Sequence, residues 1–302
     1  MGSMTTLAFR NGRFLPYSEL AVAPHDAGFV FGATVTDFCR TYRHRLFRWP
    51  DHLARLRRDA AACFIPLPYS DEELTAAAEH LVSENAKGLP PADDLALITF
   101  ATPGPLGYMV GEADTGPPTV AMHTFPIPKE RYRRFFTEGV VLEVIGFAPK
   151  NLTVPPWVKH RSRVHWWDAA RRTSTPGAVP GLLASGGAFD TAVGAVLVVR
   201  DGMIELPLRT SVLESISGRV LTELATKSGY GVRESKAWPK EWPKQGVSEM
   251  LLAGSAFGVA GMRRLVLANE ATDFPWPGPV FTKLAAAWSD LVGVDIVKQF
   301  TG

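Results

Sequence analysis

Short hydrophobic runs, broken by glycine, proline and charged residues, recur along the whole chain. Near the start, two such runs flank Asn11-Gly12, a dipeptide that is typical of tight β-hairpin turns. Segments rich in Val, Thr and Phe predict strands at Phe29–Tyr42, Leu95–Phe100 and Thr119–Phe125. The first third of the chain is therefore expected to be rich in β-structure.

Two amphipathic helices are predicted between the first two of these strands. Asp51 is expected to cap the first helix, because a carboxylate there accepts hydrogen bonds from amides of the first turn. Ser70 and Glu73 have the spacing of a capping box, which predicts the start of the second helix. After each cap, apolar residues recur every three or four positions, as on the buried face of a helix.

The second half of the chain mixes the same kinds of element. Asp201-Gly202 predicts another hairpin turn, and Ser217 is expected to cap a helix that ends before Gly229. This mixed order predicts a mixed α/β (α+β) fold rather than one parallel sheet. Further strands are predicted at Val140–Ile145, Gly194–Arg200 and Met250–Ala253, and further helices at Ser162–Arg172 and Phe281–Leu291.

Chain length and proline positions predict two domains. At roughly 150 residues per domain, 302 residues are enough for two. Pro126 and Pro128 interrupt regular structure and mark the boundary. We expect a smaller N-terminal domain at residues 1–125, an interdomain linker at 126–134, and a larger C-terminal domain at 135–302.

Composition excludes several classes of protein. A net charge of +2 gives no general attraction to nucleic acid, and no apolar run has the length of a membrane span. Cys39 and Cys63 have neither disulfide-scaffold nor metal-site spacing, and two thiols fit a reducing compartment. We therefore expect a cytoplasmic protein with no metal, no nucleic-acid partner and no membrane association.

Four short segments carry side chains suited to a phosphate-bearing cofactor bound through an imine. Lys159 follows an apolar, proline-rich run, and a water-poor setting makes an amine a better nucleophile. Ser215-Ile216-Ser217 begins a helix and Ser255 follows a strand, two common settings for phosphate. Asp190 is suited to pair with a protonated ring nitrogen. In isolation, each has an ordinary alternative: a surface lysine, a helix cap, a turn or a loop aspartate.

Two longer motifs connect these segments. Residues Asp26–Gly32 read Asp-Ala-Gly-Phe-Val-Phe-Gly, and His52–Leu56 read His-Leu-Ala-Arg-Leu. Both resemble motifs of the class IV (fold-type IV) pyridoxal-phosphate enzymes, which include branched-chain aminotransferases, D-amino acid aminotransferases and aminodeoxychorismate lyases. The resemblance extends from Asn11 to Lys283. It implies a smaller N-terminal α/β domain and a larger C-terminal domain with a β-barrel-like core.

The resemblance also implies roles for particular residues. The catalytic lysine of the family falls on Lys159, which would carry the cofactor as a Schiff base, and the carboxylate that faces the pyridine nitrogen falls on Asp190. The phosphate ligands fall on Arg55, Ile216 (through its backbone), Ser217 and Ser255. Substrate contacts are expected from Phe31, Tyr108, His165 and Ala256.

The chain departs from the family pattern at several of these positions. Asp190 stands where the family has Glu, and Ala195 stands where it has Asn. The family's Tyr five residues after the lysine is Val164, with His165 beside it. The Thr-Arg-Gly turn of many members reads Thr102-Pro103-Gly104, so that arginine is absent. Loss of a substrate-facing arginine weakens recognition of a second carboxylate.

The function implied by the resemblance is transamination dependent on pyridoxal 5'-phosphate. The expected partners are a small-molecule amino donor, either an amino acid or an amine, and a 2-oxo acid acceptor. A homodimer is expected, since family members build each active site at a dimer interface. The alternatives are a lyase of the aminodeoxychorismate type and a diverged cofactor-binding protein with little transaminase activity.

Overall fold

The computed structural model describes residues 6–90, 92–113, 116–148, 154–184, 189–235, 246–268 and 270–302. The chain divides into two compact units. The first unit comprises Met1–Ile127 and Val158–Ser162, and the second comprises Pro128–Trp157 and Arg163–Gly302. The segment with Lys159 thus belongs to the first unit, although most of the chain around it belongs to the second.

The described part of the first unit contains one six-stranded antiparallel sheet, in the order β2-β1-β6-β5-β3-β4, and three helices. Its strands are β1 (Leu7–Arg10), β2 (Arg13–Pro16), β3 (Val35–Tyr42), β4 (Arg45–Leu46), β5 (Leu95–Thr102) and β6 (Thr119–Pro126). Its helices are α1 (Ala27–Val30), α2 (Trp49–Ala62) and α3 (Asp71–Ala86), and short 3-10 turns occupy Tyr17–Glu19 and Gly107–Val110.

Local sequence signals account for several of these elements. The hairpin predicted at Asn11-Gly12 joins β1 and β2, and both residues have positive φ, 48° and 80°, as a type I′ turn requires. The capping box before α3 is also confirmed. Ser70 Oγ accepts from Glu73 N at 3.2 Å, and Glu73 Oε2 accepts from Ser70 N at 2.7 Å.

Two predictions about this unit are wrong in their details. The strand expected from Phe29 begins only at Val35, because residues Ala27–Val30 form the short helix α1 instead. Asp26 caps this helix: its Oδ1 accepts a hydrogen bond from Gly28 N at 2.7 Å. Asp51 is not the cap of α2, which begins two residues earlier with Arg48 at the cap position. Pro50 explains this shift, since proline favours the first turn of a helix.

The described part of the second unit contains nine strands and five helices. The strands are β7 (Val140–Phe147), β8 (Val179–Leu183), β9 (Phe189–Thr191), β10 (Ala195–Arg200), β11 (Met203–Pro207), β12 (Gly231–Ser235), β13 (Val247–Gly254), β14 (Gly258–Leu267) and β15 (Glu270–Asp273). The helices are α4 (Lys129–Thr137), α5 (Val164–Arg172), α6 (Ile216–Lys227), α7 (Pro279–Val292) and α8 (Lys298–Thr301).

Six of these strands close into a barrel. Within the described residues, the pairing runs β10-β13-β14-β7-β8-β9 and returns from β9 to β10 through Asp190 and Ala195. Strand β7 is parallel to both β8 and β14, whereas the other pairs of this ring are antiparallel. The predicted mixed α/β fold with a β-barrel-like core is thereby confirmed.

One local expectation in this unit needs correction. Ser215, not Ser217, caps α6, because its Oγ accepts from Gly218 N at 3.0 Å. Ser217 instead lies in the first helical turn. Residues 129–134 of the predicted linker are helical and belong to α4. In the part of the chain that the structure describes, every helix is too short or too polar to span a bilayer.

Candidate active site

The backbone of Lys159 is held in place from both sides. Its N–H donates to Asp59 Oδ2 at 2.8 Å, and its carbonyl accepts from Thr36 N at 3.0 Å. The neighbouring His160 forms a β-bridge with Val35 of β3. These contacts fix the half-buried lysine at the edge of the sheet, which suits a residue whose amine must meet a reacting atom.

Asp59 is a functional candidate that the sequence reasoning missed. Its side chain is buried, and its other oxygen, Oδ1, pairs with Arg58 Nη2 at 2.9 Å. Burial raises the pKa of Asp59, while the hydrogen bond from the Lys159 backbone opposes that effect. Helical spacing could have identified Asp59, because it follows Arg55 by four residues and therefore lies on the same side of α2.

Arg55 is part of a buried group of three side chains from α2 and β3. Arg55 Nε donates to Asp37 Oδ2 at 2.8 Å, and His52 Nδ1 lies 2.6 Å from Asp37 Oδ1. Burial alone raises the pKa of Asp37, but the charges and hydrogen bonds of Arg55 and His52 outweigh it and hold that pKa well below its usual range. Burial lowers the pKa of His52, although the negative charge of Asp37 acts in the opposite direction.

The ionised Asp37 therefore orients Arg55. A carboxylate bound at Nε restricts rotation of the guanidinium, and Nη2 lies 3.5 Å from His52 Nδ1. Arg55 is 7% exposed, so it is not part of a solvated helix face. His52 lies in the second of the two motifs noted in the sequence, and Asp37 follows the first motif by five residues, but their contact depends on the packing of α2 against β3.

In the second unit, two hydroxyls converge at the first turn of α6. Ser217 Oγ lies 3.4 Å from Ser255 Oγ, and Ser217 is buried. The cap formed by Ser215 leaves the amides of Ile216 and Ser217 in the first turn without an intrahelical acceptor. Hydroxyls and amides at the N-terminus of a helix are suited to bind a phosphate.

Glycines allow the strand end beside Ser255 to pack closely. A Cβ atom on Gly254 would lie 2.6 Å from both the Phe257 ring and the Val193 carbonyl oxygen. A Cβ atom on Gly194 would lie 2.5 Å from the Ala253 carbonyl oxygen. The close approach of the 193–194 turn to the end of β13 thus requires glycine at both places.

Asp190 lies in a strand rather than in a loop. It pairs with Ala195 of β10 and with Leu182 of β8, and its Oδ1 accepts from Thr191 N at 2.8 Å. Arg163 is nearby: burial lowers the pKa of Arg163, and the charge of Asp190 opposes this. The arginine is anchored by a hydrogen bond from its Nη2 to the Ala192 carbonyl at 2.9 Å. Asp190 and Ala195, which take the places of the family's Glu and Asn, are direct cross-strand neighbours.

The four expected substrate contacts are divided between the two units. Phe31 ends α1 with 64% of its surface exposed, and Tyr108 lies in a 3-10 turn with 68% exposed. In the second unit, His165 lies in the first turn of α5, with its ring 5.3 Å from that of Trp166. Ala256 is buried in the turn between β13 and β14.

These donors fit pyridoxal phosphate by their chemistry. The cofactor requires an amine, phosphate-binding cations, hydroxyls and amides, and an acid for the ring nitrogen. The first unit offers Lys159 and an oriented Arg55, and the second offers the two serine hydroxyls, the start of α6 and Asp190. A buried arginine and a buried serine are expected where an anion is bound away from water.

Comparisons with known proteins agree with this chemistry. The sequence pattern of the amino-transferase class IV family matches residues 34–265. A D-alanine aminotransferase from Bacillus licheniformis is 36% identical over 121 residues, which are 39% of this chain and 40% of that protein. A D-alanine aminotransferase from Staphylococcus aureus is 38% identical over 77 residues, 26% of this chain and 27% of that protein. The chain thus aligns with less than half the length of these relatives.

Similarity to solved structures covers almost the whole chain. The branched-chain amino acid aminotransferase of Escherichia coli has a TM-score of 0.80 at 19% identity, covering 95% of both chains. A hypothetical aminotransferase from Mycobacterium tuberculosis, in a form with alpha-ketoglutarate and PMP bound, has a TM-score of 0.78 at 18% identity, covering 95% of this chain and 99% of its own. At such identities the similarity is one of fold.

Proposed function

The chain belongs to the amino-transferase class IV family, and we propose that it transfers an amino group between an amino acid or amine and a 2-oxo acid. Pyridoxal phosphate, the cofactor of this family, would be bound through Lys159. The observation that carries the proposal is the fixed backbone of Lys159, held by Asp59 and by β3. The names of the relatives support amino acids and 2-oxo acids as substrates.

Each residue of the site has a proposed task. The phosphate ligands that the family resemblance implies are Arg55 in the first unit and, in the second, the backbone of Ile216, Ser217 and Ser255. When bound, pyridoxal phosphate withdraws electrons from the substrate α-carbon. The amine of Lys159 would carry the proton to and from that carbon.

Two further assignments complete the proposal. Asp190 holds a proton on the ring nitrogen, because its negative charge favours the protonated ring. The domain boundaries expected from the sequence, at residues 125 and 135, also remain proposals, as do substrate contacts by Phe31, Tyr108, His165 and Ala256.

A half-reaction with amino donors tests the proposed activity. The purified protein saturated with pyridoxal phosphate should show a visible absorption band, and that band should bleach when an accepted amino acid or amine is added. Bleaching by amino acids supports transamination. Release of pyruvate from aminodeoxychorismate would instead identify a lyase, and an unchanged band with every donor would identify a cofactor-binding protein that has lost the reaction.

Substitution of Arg55 tests the phosphate site. Arg55→Ala should weaken binding of pyridoxal phosphate about ten- to hundred-fold, the equivalent of one charge-assisted hydrogen bond. Fluorescence titration of the apoprotein measures this loss. Because the substitution leaves the buried Asp37 without its cation, the variant Arg55→Ala/Asp37→Asn provides a second measurement in which no unpaired charge remains.

Arg57→Ala is the matched control for this experiment. Arg57 lies on the same helix but forms an ion pair with Asp71 at the surface. A surface ion pair contributes little, so cofactor affinity should stay within about twofold of the native value. Equal losses in the two variants would show that Arg55 acts only through the general positive charge of α2.

An exposed apolar patch in the first unit supports the proposed homodimer. The segment that contains α1 and the 104–110 loop are joined by hydrogen bonds from Ala27 N to Gly104 O, 2.9 Å, and from Leu106 N to His25 O, 2.8 Å. Their large apolar residues face solvent. The exposed fractions are 75% for Phe29, 64% for Phe31, 68% for Tyr108, 50% for Met109 and 51% for Val110. A patch of this kind is typical of a protein interface.

Light scattering at micromolar concentration should give twice the chain mass of 32.9 kDa. The variant Phe29→Ser/Met109→Ser should shift the population toward monomer, because it removes apolar area from the patch. Phe64→Ser is the control, since Phe64 is 93% exposed but lies after α2, outside the patch. A native monomer with full cofactor occupancy would contradict the dimer.

A further inference from the structure

The segment that carries Lys159 extends one face of the first unit's sheet. His160 forms a β-bridge with Val35, so these two side chains lie on one side of the sheet. Successive side chains of an extended segment alternate between the two sides. Lys159 and Arg161 are therefore directed to the opposite side, which we term the lysine face.

Arg161 is anchored on the lysine face by two residues of the sheet. Thr36 and Phe100 are direct cross-strand neighbours on β3 and β5, and both lie on this face. The guanidinium carbon of Arg161 lies 4.6 Å from the centre of the Phe100 ring, and Nε lies 3.4 Å from Thr36 Oγ1. Arg161 is exposed. Stacking on the ring orients the guanidinium before a ligand binds, so binding of a carboxylate costs little side-chain conformational entropy.

His123 adds a polar group to the same face. It is opposed to Ile98 in the sheet, two residues from Phe100. Burial, together with the charge of Arg161, lowers the pKa of His123 to about 4, so its ring is neutral near pH 7. Within the described residues, its buried Nδ1 has no hydrogen-bond partner. A buried polar atom of this kind is stabilised when a ligand supplies the missing contact.

The lysine face also carries three apolar side chains. Phe38, Ile98 and Phe125 are half-buried, and the rings of Phe38 and Phe125 lie 6.1 Å apart. Half-buried aromatic and aliphatic side chains leave apolar area that an apolar ligand group can cover. Beside Lys159 the sheet thus presents a cation next to an apolar surface.

We propose that Arg161 binds the carboxylate of the substrate, and that the adjoining Phe38, Ile98 and Phe125 favour amino acids with apolar side chains. The favoured substrates are therefore apolar amino acids and their 2-oxo acids, over amines that lack a carboxylate. This role depends on the proposed amino transfer, because the substrate must reach Lys159 on the same face.

Arg161→Gln tests the role in two ways. Calorimetry with 4-methylvalerate, an unreactive apolar carboxylate, should show binding to the holoenzyme that weakens about ten- to hundred-fold in the variant. In the half-reaction, KM for the better isomer of leucine should rise by a similar factor, with kcat changed less. The rate constant with 1-phenylethylamine, a donor without a carboxylate, should change little. Arg45→Gln, an exposed arginine of β4, should behave as the native protein in all three measurements.

Equal binding of 4-methylvalerate by the native protein and Arg161→Gln would overturn the assignment, as would equal losses with leucine and 1-phenylethylamine. So would a native holoenzyme that binds no 4-methylvalerate at millimolar concentration. Arg161→Lys provides a second variant that keeps the charge but loses the planar fork, and it should bind several-fold more weakly than native. Arg161-dependent carboxylate binding without bleaching by any donor would refute the proposed transamination and leave the carboxylate site in place.

Discussion

Replacement of Lys159 with alanine should abolish covalent attachment of the cofactor and slow the half-reaction by at least about two to four orders of magnitude, the usual contribution of a positioned general acid–base group. The backbone contacts of Lys159 with Asp59 and Thr36 do not involve its side chain, so the variant should fold and keep the phosphate site. Borohydride reduction followed by peptide mapping measures the attachment. Stopped-flow absorbance measures the rate.

In the native holoenzyme, reduction should fix a pyridoxyl group on the peptide that contains Lys159. Lys87→Ala serves as the control, because Lys87 lies in the same unit but pairs with Glu84 at the surface. It should be labelled and should react as the native protein does. Labelling of another lysine in native protein, or none at full saturation, would refute the assignment of Lys159.

Asp190→Asn should lower the half-reaction rate by a few orders of magnitude and leave cofactor affinity within a fewfold of native. A carboxylate beside the ring nitrogen raises the pKa of that nitrogen, and the protonated ring stabilises the negative charge that develops as the α-proton leaves. The substitution therefore lowers the rate by destabilising the transition state rather than by weakening cofactor binding. Single-turnover absorbance with a saturating amino donor measures the rate without requiring the physiological acceptor.

Asp190→Glu is the informative companion variant, since it restores the side chain that the family resemblance places here. It should retain or increase the rate, provided that the longer side chain is accommodated between β8 and β10. If Asp190 has no contact with the cofactor, the native protein should transaminate poorly and Asp190→Asn should leave the rate unchanged. Arg163→Gln should have a smaller effect than Asp190→Asn, because the charge of Arg163 would influence the ring nitrogen through Asp190 rather than by direct contact.

Local sequence signals determined the turns and helix ends that depend on contacts between residues close in the sequence. Asn11-Gly12 specifies a tight hairpin because few other residues adopt positive φ twice in succession, and Ser70 with Glu73 satisfies the first amides of α3 by itself. Motifs with fixed spacing, through their resemblance to a family, also indicated Lys159 and Arg55 as candidates. Where two signals compete, the sequence was less decisive: Ser215 and Ser217 both suit a helix cap, and only the backbone path selects Ser215.

Tertiary structure decided which side chains meet. Asp37 and Arg55 are 18 positions apart and form a buried ion pair, while Asp59 and Lys159 are 100 positions apart and share a hydrogen bond. Neither contact has a local signature, since each depends on how α2 packs on β3 and on the return of residues 158–162 to the first unit. The same applies to Arg161. Its sequence neighbours indicate only a surface charge, and its contacts with Phe100 and Thr36 are visible only in the tertiary structure. Sequence spacing therefore indicated candidate residues for the chemistry, and long-range packing determined the partners that orient them.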